Sequence, residues 1–68
     1  MLPVNFRVAN AVASARAAAG KSQMELAALT GIDQSDISKI ERGVANPSIA
    51  TLNRISEALG KKLQISIS

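Results

Sequence analysis

Between Asn5 and Ala19 the apolar residues Val8, Val12, Ala15 and Ala19 fall at offsets of four, three and four, the stripe of an amphipathic helix that Gly20 ends. Ser22 is followed three positions later by Glu25, a pairing in which each side chain satisfies the other's free backbone N–H, so a second helix starts there. It carries Leu26, Ala27 and Leu29 and meets Gly31 after about two turns, which predicts a tight turn, since glycine enters the left-handed conformation at little cost. Asp33 then reads as the cap of a third helix with Ile37 and Ile40 inward, Glu41 on the adjoining edge and Gly43 closing it.

Val44 to Pro47 forms a short loop, and after Pro47-Ser48 the residues Ile49, Leu52, Ile55 and Leu59 follow at three, three and four, a fourth helix ended by Gly60. From Lys61 the period switches to strict alternation in Leu63-Gln64-Ile65-Ser66-Ile67-Ser68, the pattern of a strand. The pattern predicts an all-α unit over residues 1–60 and a separate strand element over 61–68.

Composition narrows the possibilities. A chain of 68 residues is one small domain, and one this short buries only about 60% of the surface its unfolded form exposes, so it needs staples or a partner subunit. There is no cysteine and no histidine, which removes disulfides, thiolate chemistry, imidazole bases and the usual zinc sites. No metal or cofactor site and no enzymatic role is therefore expected. Apolar residues make up 47% of the chain, but Ala is much of that and Phe6 is the one aromatic, leaving a core of Ile, Leu and Val. No apolar run approaches the roughly 18 residues of a membrane span and no secretion signal is evident, so a cytoplasmic protein is expected. Eight Lys and Arg against five Asp and Glu give +3, a modest excess that does not by itself establish a basic patch.

The informative stretch is SQMELAALTGIDQSDISKIERG, residues 22–43, two short helices joined by a turn too brief to let them lie antiparallel. Helices so joined cross steeply, with Ala27 small at the close approach, Gly31 in the turn, and Ile32, Ile37 and Ile40 pointing into the shared core. Gln23, Ala27, Gly31 and Ile37, with the following IERG and NPS, resemble the helix-turn-helix of the lambda-repressor-like or XRE family of transcription regulators. The resemblance covers about residues 5 to 60 and implies a four-to-five-helix DNA-binding domain.

In similar proteins the third helix lies in the major groove and reads bases mainly with its first turn, which here presents Gln34 and Ser35. Gln34 carries a donor and an acceptor on one planar group and is suited to a paired contact with adenine N6 and N7; Ser35 is too short to discriminate strongly. Ser38 and Lys39 share the exposed side one turn later, and Lys39 has the reach for a base edge or a phosphate. Arg42, the loop residue Asn46 and Lys21 are expected at phosphate oxygens. The resemblance also places Gln23 over a phosphate while bracing Gln34. Asp36 departs from the family's usual Ser or Thr: its carboxylate either accepts from cytosine N4 or serves its own helix N-terminus. Arg16 and Glu41 match a pair that similar proteins use structurally, so Arg16 is not counted as a DNA contact.

A solitary strand leaves its backbone groups unpaired, so the tail predicts a homodimer in which two such strands pair as an antiparallel ribbon, with Leu63, Ile65 and Ile67 pressed onto the helices. Such a dimer sets two recognition helices about 34 Å apart, one turn of duplex, and favours a palindromic operator. The expected function is sequence-specific double-stranded DNA binding by a repressor. Its alternative is an antitoxin-type module that masks a toxin protein, since helices followed by such a strand resemble the HigA-like and HipB-like antitoxin branch.

Overall fold

The computed structural model describes residues 4–60, in which four helices follow one another: α1 Val4–Ala18, α2 Gln23–Thr30, α3 Gln34–Glu41 and α4 Ile49–Ala58. Among the described residues the architecture is all-α. The expected strand over 61–68, with Leu63, Ile65 and Ile67, lies outside them.

Local chemistry explains where the helices begin. At α2 the Ser22 hydroxyl accepts from the Glu25 amide at 3.0 Å while the Ser22 amide donates to Glu25 Oε1 at 2.9 Å, the reciprocal capping expected from the sequence. At α4 the Ser48 hydroxyl accepts from the Thr51 amide at 3.1 Å. Asp33 occupies the N-cap of α3 as expected, but its side chain makes no capping hydrogen bond. The Asp36 amide, the donor that such a cap would take, is given at 3.0 Å to the Asp33 backbone carbonyl instead.

Two glycines carry the turns that aim α3. Gly31 stands at φ 75° and its amide donates to the Ala27 carbonyl at 2.9 Å, closing α2 where the chain must swing into α3. Gly43 stands at φ 75° as well; its amide donates to Ile40 and the Val44 amide to Lys39, the double bond pattern that satisfies the last carbonyls of a helix.

The core is a single cluster of Val8, Val12 and Ala15 from α1, Leu26 from α2, Ile37 and Ile40 from α3, and Ile55 and Leu59 at α4. Leu26, Ile37, Ile55 and Val12 are the largest side chains fully withdrawn from solvent. Truncating such a residue to Ala costs about 2–5 kcal/mol, a large part of what a domain this small possesses. Ala19, Ala27, Ile32 and Leu52 pack against this cluster.

Two sequence expectations fail at the margins. Leu29 is exposed because α2 buries the narrow face of Leu26 and Thr30, four residues apart, and Leu29 lies off it. Ile49 is 78% exposed because it is the first residue of α4, a turn before the half-buried Leu52, and so overhangs the packed layer. No described helix is long and apolar enough to cross a membrane.

Candidate nucleic-acid interface

At about 100° per residue, Ile37 and Ile40 define the inward side of α3, and Ser35, Ser38, Lys39 and Arg42 fall on the opposite side. Ser35, Lys39 and Arg42 are exposed and Ser38 is half-buried. Gln34, also exposed, flanks this outward edge on the side of Glu41. Asp36 flanks it on the other side and, with Asp33, Ile40, Thr51 and Arg54, lines a groove toward α4. The charges are ordered along the axis: Asp36 in the first turn, Lys39 in the last and Arg42 just beyond, each complementing the helix dipole at its end.

The far end of α3 is clamped. Arg16 Nε donates to Glu41 Oε2 at 2.7 Å and Nη2 to Oε1 at 2.9 Å, a planar two-point pair. The third nitrogen, Nη1, donates to the Lys21 carbonyl at 2.7 Å, so one guanidinium joins α1, the α1–α2 turn and α3. The Glu41 hydrogen bond, followed by the nearby carboxylate charge, raises the Arg16 pKa above its ordinary value against the opposing effect of burial, so Arg16 stays charged. Gln23 Nε2 adds a third donor to Glu41, on Oε1 at 3.1 Å.

That last bond corrects the expected bracing of Gln34. Among the described residues Gln23 holds Glu41, and no hydrogen bond joins it to Gln34. Gln23 and Lys21 are half-buried at this clamp, whereas Asn46 is exposed in the loop after Gly43.

Two positioning features carry little sequence signal. Thr30 is buried; its hydroxyl donates to the Leu26 carbonyl at 2.8 Å and accepts from the Ile32 amide at 3.2 Å, fixing the turn into α3. A Thr ahead of Gly-Ile-Asp is the only hint the sequence offers. Phe6 is 45% exposed, yet its ring lies on Gly43: a Cβ placed there would stand 3.0 Å from Phe6 Cδ1 and 3.1 Å from Cε1.

The arrangement offers an exposed polar helix edge on a rigid apolar support, and among the described residues no cluster suited to a metal. The HTH_3 family model, described as helix-turn-helix, matches residues 12–65. The chain belongs to the HTH_3 family. It is 40% identical over 63 residues to an uncharacterized HTH-type transcriptional regulator of Haemophilus influenzae, with 90% of this chain and 64% of that protein covered. It is also 40% identical over 53 residues to the uncharacterized HTH-type transcriptional regulator y4dL of Sinorhizobium fredii, across 78% of this chain and 27% of that one. A crystal structure of an HTH_3 family transcriptional regulator from Vibrio cholerae superposes with a TM-score of 0.80 at 35% identity, covering 84% of this chain and 32% of the other. The chain thus spans less than two thirds of the length of each of these relatives. HTH_3 membership places it among helix-turn-helix transcription-regulator domains and not among enzymes.

Proposed function

We propose that this HTH_3 chain binds double-stranded DNA sequence-specifically as a homodimer, laying α3 in the major groove of a palindromic operator to repress transcription. The observation that carries the reading is the exposed leading edge of α3, Gln34 and Ser35, held over the buried Ile37 and Ile40. In this reading Gln34 reads adenine, Ser35, Ser38 and Lys39 complete the base contacts, and Arg42, Asn46, Gln23 and Lys21 meet phosphates. Gln23 keeps a second amide hydrogen for that role, because Glu41 takes only one. Leu63, Ile65 and Ile67 supply the ribbon that joins the two copies. The names of the relatives, HTH-type transcriptional regulators, support the DNA-binding and regulatory part of the reading.

The reading is tested by selecting bound duplexes from a random pool and titrating the selected duplex over a salt series. A phosphate-neutralising dimer enriches an inverted repeat and loses affinity steeply as salt rises. No enrichment, with a flat salt response, favours instead a module whose main partner is a protein, as in the antitoxin reading.

A further inference from the structure

We propose that Phe6, the one aromatic side chain, is a positioning residue that sets the place of Arg42 and of the loop carrying Asn46; the inference rests on the DNA reading above. Gly43 is buried although it follows the exposed Arg42 and precedes the exposed Val44. What covers it is the Phe6 ring, with Cδ1 and Cε1 at 3.0 and 3.1 Å from where a side chain would begin. A methyl group there would press the ring back by a few tenths of an ångström, so the absence of a side chain at Gly43 is what lets the ring lie this close.

The chain path gives that contact its leverage. Gly43 is the residue at which the backbone leaves α3, its left-handed conformation set by the paired bonds from Gly43 to Ile40 and from Val44 to Lys39. Arg42 is one residue before this pivot and Asn46 three after it. Arg16 already holds α3 through Glu41, near the other end of α1; from Phe6 to Arg16 the helix rises about 15 Å. The two contacts reach the end of α3 from α1 residues ten apart and land on it two residues apart, at Glu41 and Gly43, so together they restrain its place against α1 from two directions, which one contact alone does not. Phe6 makes this second contact while leaving nearly half its surface exposed, an arrangement that core formation alone does not require.

The test compares the full chain with Phe6→Ala, Phe6→Leu and Arg42→Ala, at a temperature where circular dichroism shows all four folded. Two readouts are used: hydrogen exchange of the backbone amides without DNA, which a lost ring current does not alter, and affinity across a salt series for the duplex selected from a random pool. Expected is that Phe6→Ala speeds exchange of the bonded amides of Arg42, Gly43 and Val44 well beyond those of α2. The same variant should flatten the slope of log affinity against log salt by about 0.9 for each phosphate it no longer neutralises, and weaken preferred and scrambled duplexes by the same factor. Phe6→Leu, which restores an apolar cover on Gly43, should recover most of both effects. Unchanged exchange over 42–44, or an unchanged salt slope beside a merely lower melting temperature, would overturn the assignment. Should the parent chain bind no duplex at all, the DNA reading fails, and unchanged exchange alone would then decide against Phe6 as an organiser of the loop.

Discussion

Arg16 grips Glu41 through two parallel hydrogen bonds of 2.7 and 2.9 Å, although 25 residues separate them along the chain. The two side chains differ in exposure, 20% for Arg16 and 7% for Glu41, and that difference predicts an asymmetry. Arg16→Met leaves a nearly buried carboxylate with only the Gln23 amide beside it, at a cost of about 3 kcal/mol. Glu41→Gln keeps an acceptor for the guanidinium, which retains the Lys21 carbonyl and some access to water, and costs about 1–1.5 kcal/mol. Urea unfolding of both variants checks the order, and equal losses would mean that the carboxylate is better solvated than its surroundings indicate.

Gln34 and Arg42 are expected to fail in different ways. Gln34→Ala should cost about 1–3 kcal/mol on the selected duplex and relax discrimination at one base pair. Arg42→Ala should weaken all duplexes alike and lower the salt slope by about 0.9. Titration of preferred and single-mismatch duplexes at two salt concentrations separates these outcomes, and identical behaviour of the two variants would undo the division of roles.

These roles are legible in the sequence only as far as they depend on local chemistry and period. Ser22 with Glu25, Gly31 and Gly43, and the stripe from Val8 to Leu59 are decided by neighbours within one helical turn, so the four helices can be placed from the sequence. Leu29 and Ile49 fit a helical spacing yet stand exposed, because how wide a face of α2 is covered and where the layer beneath α4 ends are set by the facing elements. Likewise the partner of Gln23 is settled by how α2 crosses α3, and the Phe6–Gly43 contact joins residues far apart along the described chain. No spacing rule reaches such pairs.

The tail predicts a change of oligomeric state. A chain ending at Gly60 keeps the α1–α4 core cluster but lacks Leu63, Ile65 and Ile67. Sedimentation should find the full chain dimeric and the shortened one monomeric, with lower affinity for an inverted repeat and little change for a single half-site. A shortened chain that remains a dimer would move the interface onto the helices.

The capping box of α2 predicts a pH dependence. Glu25 accepts from the Ser22 backbone amide, and this bond, followed by the Ser22 side-chain contact, lowers its pKa below the ordinary value of 4.5. A carboxylate with a depressed folded-state pKa contributes stability above the unfolded value and loses it as pH falls through the folded one. Glu25→Gln can still accept from Ser22 but has no charge to titrate. Its urea midpoint should lie below that of the parent at pH 7, and the gap should close as pH drops below 4.5. A gap of constant width would mean that the charge contributes nothing to the cap.

Thr30 links stability to the angle at which α3 is presented. Its hydroxyl donates to Leu26, with a longer contact to the Ala27 carbonyl at 3.4 Å, and accepts from the Ile32 amide, so the nearly isosteric Thr30→Val removes these bonds and leaves that amide unpaired in a half-buried turn. The loss should be about 1–3 kcal/mol, more than an exposed Thr would show, and Thr30→Ser should recover most of it. The Ile32 amide sits between Gly31 and the N-cap of α3, so the loosened turn should also blur the reading by Gln34. Discrimination against a single mismatch should then fall in Thr30→Val even where the variant is fully folded. Reduced stability with discrimination intact would show that the tilt of α3 is set by its packing and its contacts with α1, without the Thr30 turn.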